Sequence, residues 1–137
     1  MTKYIIDTSI ILKAILKEDD SVAKVFLKLL NGTKTNRTQI FSQQLLITEV
    51  ANGIRYTEGS CELGQKYFDI FLELPIKYLT ITEAVHKKIL EVSYTTGTTV
   101  YDTSYHILAK EYKAVFLTSD EDYYKKACVL GDIELVK

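Results

Sequence analysis

Hydrophobic and polar residues follow two patterns along the chain. Short unbroken apolar runs alternate with longer stretches in which apolar residues recur every three or four positions. The short runs, such as Tyr4–Ile6 and Val115–Leu117, predict strands covered on both faces, as in a parallel sheet. The strands predicted in this way are Lys3–Ile6, Gln39–Phe41, Lys77–Ile81, Val115–Thr118 and Ile133–Val136.

Helical periodicity fills the stretches between these strands. The predicted helices are Ser9–Lys17, Ser21–Leu30, Gln43–Tyr56, Glu62–Glu73, Thr82–Tyr94, Tyr101–Tyr112 and Glu121–Leu130. Asn31–Thr38, which begins with the helix stop Asn31-Gly32, and Thr95–Thr99 are predicted as surface loops. Thr80 and Glu83 have the spacing of a capping box. Strands that alternate with helices predict a three-layer α/β/α sandwich around a mainly parallel sheet of about five strands.

Composition predicts a single globular domain that spans residues 1–137. The chain has no internal repeat and no Pro- or Ser-rich linker, and 47% of its residues are hydrophobic and 26% charged. A net charge of -1 argues against avid, non-specific nucleic-acid binding but is compatible with a local basic groove. The N-terminal apolar run is interrupted by Asp7 and no later run approaches membrane-spanning length. Neither a signal peptide nor a membrane anchor is expected, so the predicted location is cytoplasmic.

Cysteine and histidine contribute little candidate chemistry. Cys61 and Cys128 form no CxxC motif and have no adjacent histidine, so reduced, partly buried thiols are expected. The chain has only two cysteines and two histidines, which argues against a structural zinc site.

Three acidic residues stand near predicted helix starts: Asp7, Asp102 and Asp120. Taken singly, each is more readily explained as a helix cap or a first-turn acid than as a functional group. In open parallel sheets, however, ligands bind beyond the carboxyl ends of the strands, where the strand order reverses. If the first and fourth strands are neighbours, Asp7 and Asp120 lie side by side there, and Asp102 opens the helix before the fourth strand.

Glu49 cannot be a cap, because it lies within a predicted helix. It falls at the edge of an apolar face, where an acid requires a partner. Gly53, one turn later, is expected to leave room for an ion or a substrate backbone. The alternative is that Glu49 points into solvent or pairs with Arg55 or a lysine.

A cluster of carboxylates is stable only if a cation or protons offset the repulsion between them. Oxygen ligands with few histidines or cysteines suit Mg²⁺ or Mn²⁺ and disfavour Zn²⁺.

Four sequence blocks in this order resemble the acidic blocks of PIN-domain ribonucleases. They are Asp7-Thr8-Ser9, Thr48-Glu49, Tyr101-Asp102-Thr103-Ser104-Tyr105 and Thr118-Ser119-Asp120. The resemblance extends from Lys3 to about Cys128, and the size and element order are similar to those of the VapC toxins of toxin–antitoxin pairs. His106 is bulkier than the residue usual at this position in the family, and we expect it on the helix surface with no catalytic role.

The resemblance implies a metal-dependent endoribonuclease with an RNA substrate, an antitoxin partner and a homodimeric state. The implied catalytic acids are Asp7, Glu49, Asp102 and Asp120, of which Asp7, Asp102 and Asp120 would bind Mg²⁺ or Mn²⁺. The hydroxyls of Thr8, Ser9 and Thr118 could orient ligands or waters, and Asp122 is a rival to Asp120 as the last acid. Lys13 and Arg55 are candidate RNA contacts, because their helices also carry acids of the site. The alternative is a non-catalytic RNA- or protein-binding module with the same fold.

Overall fold

The computed structural model describes residues 1–137, which form five strands and seven α-helices. In chain order the elements are β1 (Thr2–Ile6), α1 (Thr8–Ile15), α2 (Asp20–Lys34), β2 (Thr38–Gln43), α3 (Leu45–Thr57), α4 (Cys61–Leu72), β3 (Ile76–Leu79), α5 (Glu83–Thr96), α6 (Val100–Glu111), β4 (Val115–Thr118), α7 (Glu121–Ala127), a 3₁₀ turn (Cys128–Leu130) and β5 (Ile133–Leu135).

The five strands form one fully parallel sheet in the order β3-β2-β1-β4-β5. The central strand is β1, in which Ile5 pairs with Phe41 of β2 on one side and with Phe116 of β4 on the other. Crossovers between parallel strands are right-handed, so α1–α4 cover one face of the sheet and α5–α7 cover the other. The predicted α/β/α sandwich with a parallel sheet is therefore confirmed.

The strand order reverses between β1 and β4. From β1 the chain proceeds outward to β2 and β3, and it then returns to place β4 on the opposite side of β1. The C-terminal ends of the strands, which we call the carboxyl edge, therefore contain the switch point at which such sheets bind ligands. Asp7 and Asp120 follow the two strands that flank this point.

Most helices pack an apolar stripe on the sheet or on a neighbouring helix, although on α4 only Phe71 is buried. On α3 the buried residues are Leu46, Val50 and Ile54, one turn apart on the predicted face. By contrast, α6 is buried continuously over Thr103–Ala109, because it packs against β1, β4 and α5. None of the helices combines the length and the apolar character needed to span a membrane.

The end of α2 differs from the prediction. The helix runs through Asn31-Gly32 to Lys34, so the predicted stop is wrong and the start of the predicted Asn31–Thr38 loop is helical. A Cβ atom on Gly32 would lie 2.3 Å from the Thr38 Oγ1 atom. Gly32 therefore allows close packing of α2 on β2 and does not end the helix.

Three smaller predictions are also wrong. The cap of α5 is Thr82, not Thr80, because the Thr82 hydroxyl accepts the hydrogen bond from the Val85 N–H. The same helix continues to Thr96, where a loop was expected. Both cysteines are exposed, since they lie at the starts of α4 and the 3₁₀ turn and not within packed faces.

Candidate active site

Asp7 occupies the centre of the carboxyl edge and is only 9% exposed. It caps α1, because its Oδ1 atom accepts a hydrogen bond from the Ile10 N–H at 3.3 Å. Two hydroxyl groups also donate to it: Ser9 Oγ to Oδ1 and Thr118 Oγ1 to Oδ2, each at 2.6 Å. Asp7 is therefore both the cap of α1 and a member of the group of acids at the carboxyl edge.

Burial raises the pKa of Asp7 from its ordinary value of 3.8 to about 6. The hydrogen bonds from Ser9, Thr118 and Ile10 act in the opposite direction, and the negative charge of Asp102 adds to the increase. Ionisation of Asp7 therefore costs free energy in the folded protein, and a bound cation would lower this cost.

The Thr118 and Ser9 hydroxyls connect the ends of β1 and β4. While Thr118 donates to Asp7, its oxygen accepts a hydrogen bond from the Asp120 N–H at 3.1 Å. Ser9 donates to Asp7 in the same way and accepts from the Ser119 N–H at 2.9 Å. Each hydroxyl thus donates its only proton to Asp7 and accepts a backbone hydrogen bond from the segment after β4. These hydrogen bonds fix the end of β1 relative to the end of β4.

Asp120 caps α7, with its Oδ1 atom accepting from the Tyr123 N–H at 3.0 Å. It is half-buried, and Oδ2 makes no hydrogen bond within the protein. Asp122, its rival, lies exposed in the first turn of α7.

Asp102 lies in the first turn of α6, and Thr99 is the cap of that helix. The Thr99 hydroxyl accepts from the Asp102 N–H at 3.1 Å, while neither carboxylate oxygen of Asp102 is hydrogen-bonded within the protein. Burial raises the pKa of Asp102, and the negative charges of Asp120 and Glu49 raise it further. The fold thus brings Asp102 within electrostatic range of the other acids.

Glu49 has two hydroxyl partners. Tyr105 Oη donates to Glu49 Oε1 at 2.5 Å, and Thr8 Oγ1 donates to the same oxygen at 3.2 Å. Arg55 is not its partner, because the guanidinium lies over the Tyr56 ring, 5.2 Å from the centroid. Burial and the hydrogen bond to Glu49 both raise the pKa of Tyr105, so the phenol retains its proton.

The expected space at Gly53 does not exist. A Cβ atom at this position would lie 2.3 Å from Leu12 Cδ1. Gly53 therefore permits close packing of α1 on α3, and the predicted room for an ion or a substrate backbone is wrong.

The oxygen donors at the edge are those that Mg²⁺ or Mn²⁺ prefers, namely carboxylates and hydroxyls. The fit is incomplete in one respect, because no three Asp, Glu, His or Cys side chains lie close enough together to hold a metal ion. The free oxygens of Asp102 and Asp120 remain available as ligands.

Lys13 lies beside the carboxyl edge. Its ammonium group donates to the Ser119 carbonyl oxygen at 3.2 Å and to Ser119 Oγ at 2.7 Å. The chain segment after β4 is therefore attached to α1 by Lys13 as well as by Ser9.

His106 is fully buried, so its predicted surface location is wrong. Its Nε2 atom lies 2.7 Å from the Gly131 carbonyl oxygen and must donate to it. Nδ1 therefore accepts from the Tyr123 hydroxyl at 2.9 Å. Burial lowers the pKa of His106, which favours this neutral form. The absence of any charged residue in Thr103–Ala109 was the signal that this helix is buried on all sides.

The sequence profile described as PIN domain matches residues 4–128 of the chain. No curated protein sequence matches the chain. Several solved structures share its fold. One is VapBC2 from Rickettsia felis bound to a DNA fragment from their promoter. The two chains are 17% identical and superpose with a TM-score of 0.72, and the match covers 99% of this chain and 100% of that chain.

Two further structures have similar folds. One is a toxin–antitoxin complex from Klebsiella pneumoniae, with a TM-score of 0.68, 10% identity and coverage of 96% of this chain and 95% of that chain. The other is VapC20 from Mycobacterium tuberculosis, described as a sarcin-ricin loop cleaving toxin, with a TM-score of 0.73, 10% identity and coverage of 98% and 99%. At these identities the likeness establishes the fold alone.

Proposed function

The chain belongs to the PIN-domain family, and from this membership we propose that it is a metal-dependent endoribonuclease that hydrolyses RNA phosphodiester bonds. The observation that carries the proposal is the bridge made by Thr118, whose hydroxyl donates to Asp7 and accepts from the Asp120 N–H at the switch point of the sheet. Two strand-end acids joined in this way, with the charges of Asp102 and Glu49 nearby, form a strongly electronegative edge.

Asp7, Asp102 and Asp120 would hold Mg²⁺ or Mn²⁺, which supplies an activated water and offsets the charge that builds on the phosphate when bound. We prefer Asp120 to Asp122 as the last ligand, because Asp120 is half-buried and its charge acts on Asp102, while Asp122 is exposed.

The other residues have distinct proposed roles. The Ser9 and Thr118 hydroxyls fix the orientation of the Asp7 carboxylate. Glu49 uses one oxygen for Thr8 and Tyr105, and its second oxygen can accept a proton from an attacking water. Among basic residues, Lys13 stands beside the acids and Arg55 lies on the Glu49 helix, and we retain both as candidate contacts to the RNA backbone.

We also propose that the chain is the toxin of a type II toxin–antitoxin pair. The proposal is supported by the fold shared with the Klebsiella pneumoniae toxin–antitoxin complex and with the Mycobacterium tuberculosis toxin. It predicts an antitoxin whose segment covers the carboxyl edge, a homodimer and a cytoplasmic location.

One observation favours the alternative, a non-catalytic RNA- or protein-binding module. No three acidic side chains lie close enough together to hold an ion, as expected if the acids serve only as caps and packing groups. The two functions differ in metal binding, because only the nuclease should show saturable binding of Mg²⁺ or Mn²⁺ that disappears in Asp102→Asn.

The cleavage test compares RNA ends after expression of the wild type, Asp7→Asn and Asp19→Asn. Asp19 is the matched control, because it likewise caps a helix, through the N–H groups of Ser21 and Val22, and makes no hydrogen bond to the four acids or to the hydroxyls that hold them. New RNA ends should appear with the wild type and Asp19→Asn and be absent with Asp7→Asn. Identical end profiles for all three proteins would contradict the nuclease function.

A further inference from the structure

Tyr105 connects the helix that carries Asp102 to the helix that carries Glu49. Its ring is 2% exposed and stacks on Phe116 of β4, with ring centroids 6.3 Å apart and planes inclined by 9°. This packing directs the phenolic oxygen to Glu49 Oε1 on α3, at 2.5 Å. The donor of this hydrogen bond is therefore carried by a buried, stacked ring, and its acceptor is the carboxylate of a half-buried glutamate.

The two hydrogen bonds to Glu49 fall on the same oxygen. Tyr105 and Thr8 both donate to Oε1, and Oε2 has no partner within the protein. No buried side-chain oxygen or nitrogen atom in the chain lacks a hydrogen-bond partner, so Oε2 must be in contact with solvent. The Glu49 carboxylate is thus held by one oxygen and presents the other outward.

A glutamate on a helix surface would otherwise populate several rotamers, because its side chain has three rotatable bonds. Both bonds have Glu49 Oε1 as their acceptor, but the bond from Tyr105, at 2.5 Å, is much shorter than the bond from Thr8, at 3.2 Å. Tyr105 therefore supplies most of the orientational restraint on Glu49.

We propose that Tyr105 is a positioning residue that fixes Glu49 through Oε1 and leaves Oε2 free for the reaction. The inference rests on the proposed ribonuclease function, and it extends that function to a residue which does not itself contact substrate. Misplacement of a reacting group by about 1 Å can lower a rate by about 100-fold, so loss of the phenolic hydroxyl should mainly affect the chemical step.

The test is Tyr105→Phe, which removes one oxygen and keeps the stacked ring. We expect single-turnover cleavage of a model RNA to be slowed by about 10- to 100-fold, with KM changed by less than about twofold. Tyr4→Phe is the matched control, because Tyr4 packs on the same core from β1 and its hydroxyl makes no hydrogen bond to an acid. Thr8→Val provides a second test of the same carboxylate and should cause a smaller loss.

A positioning role also predicts non-additive effects. Because Tyr105 acts through Glu49, Tyr105→Phe should slow cleavage by less than about twofold when Glu49 is already replaced by Gln. The inference would be wrong if Tyr105→Phe cleaved RNA at the wild-type rate. It would also be wrong if Tyr105→Phe slowed cleavage as much in the Glu49→Gln background as in the wild type. Either result would leave the nuclease function intact. Absence of cleavage by the wild type would instead refute the proposed function itself, and the inference with it.

Discussion

Replacement of Asp7 by asparagine is expected to stabilise the metal-free protein near neutral pH while it removes the proposed cleavage activity. Asparagine has nearly the same size and is an equally good helix cap, so α1 should be retained. The substitution removes a carboxylate whose ionisation is opposed by burial, as shown by the pKa of Asp7 at about 6 instead of 3.8.

The sign of the effect follows from proton binding. Between pH 3.8 and about 6, folded Asp7 keeps a proton that the unfolded chain has lost. The contribution of Asp7 to the free energy of unfolding is therefore complete below pH 3.8 and is lost as the pH rises through about 6. A shift of this size corresponds to at most about 3 kcal/mol.

The gain in Asp7→Asn should be smaller than this limit. An amide accepts the hydrogen bonds from Ser9 and Thr118 less strongly than a carboxylate, and its nitrogen must find an acceptor. We expect a net stabilisation of about 1–2 kcal/mol at pH 8, or about 4–8 °C in melting temperature.

The assay is thermal unfolding of the chelator-treated wild type and Asp7→Asn between pH 4 and pH 8. The difference in melting temperature should be largest at pH 8 and should disappear or reverse near pH 4. Saturating Mg²⁺ should raise the melting temperature of the wild type more than that of the variant, because a bound cation relieves the same penalty. Asp19→Asn should show no gain at either pH, because the half-buried Asp19 accepts hydrogen bonds only from the Ser21 and Val22 N–H groups of the helix that it caps.

A difference of equal size at pH 4 and pH 8 would refute this reasoning. Near pH 4 folded Asp7 is protonated and the unfolded residue is only partly ionised, so most of the charge penalty must be absent there. A variant less stable than the wild type at pH 8 would show that the hydrogen bonds from Ser9 and Thr118 outweigh the cost of burial.

Two further predictions concern packing. Gly32→Ala should lower the free energy of unfolding by about 1–3 kcal/mol, because its Cβ would collide with Thr38. Gly64→Ala should raise it by about 0.5–1 kcal/mol, because a Cβ there would make only an ordinary contact of 3.4 Å with Ile54. Denaturant titration of both variants measures the contrast, and equal signs would contradict it. His106→Leu should lower the free energy of unfolding by about 1–3 kcal/mol, because it leaves the buried Tyr123 hydroxyl without its partner and removes the hydrogen bond to the Gly131 carbonyl oxygen. Tyr123→Phe should cost less, and equal stability of His106→Leu and the wild type in denaturant would exclude this role.

The strands could be predicted because burial on both faces leaves an unbroken apolar run, as in β1 and β4. Parallel pairing and the alternation of strands with helices then limited the topology to few choices. The position of Asp7 and Asp120 at one edge followed from that topology once β1 and β4 were neighbours.

Details that depend on contacts between distant segments could not be predicted. Gly32 resembles a helix stop in sequence, and only the approach of Thr38 reveals its packing role. Gly53 likewise faces Leu12, which no local pattern indicates. The partner of Glu49 is Tyr105, 56 positions later in the chain, and their hydrogen bond depends on how α6 crosses the end of the sheet.

The position of β1 at the centre of the sheet also affects the order of events during synthesis. β1 can pair with β2 early, but its other neighbour, β4, is translated long afterwards, and Asp7 is 111 positions from the Thr118 hydroxyl that holds it. A nascent chain that has not reached Val115 therefore has one side of β1 unpaired and no assembled carboxyl edge. If the proposed activity is correct, a ribosome that makes this protein is exposed to the nuclease only after almost the whole chain has emerged.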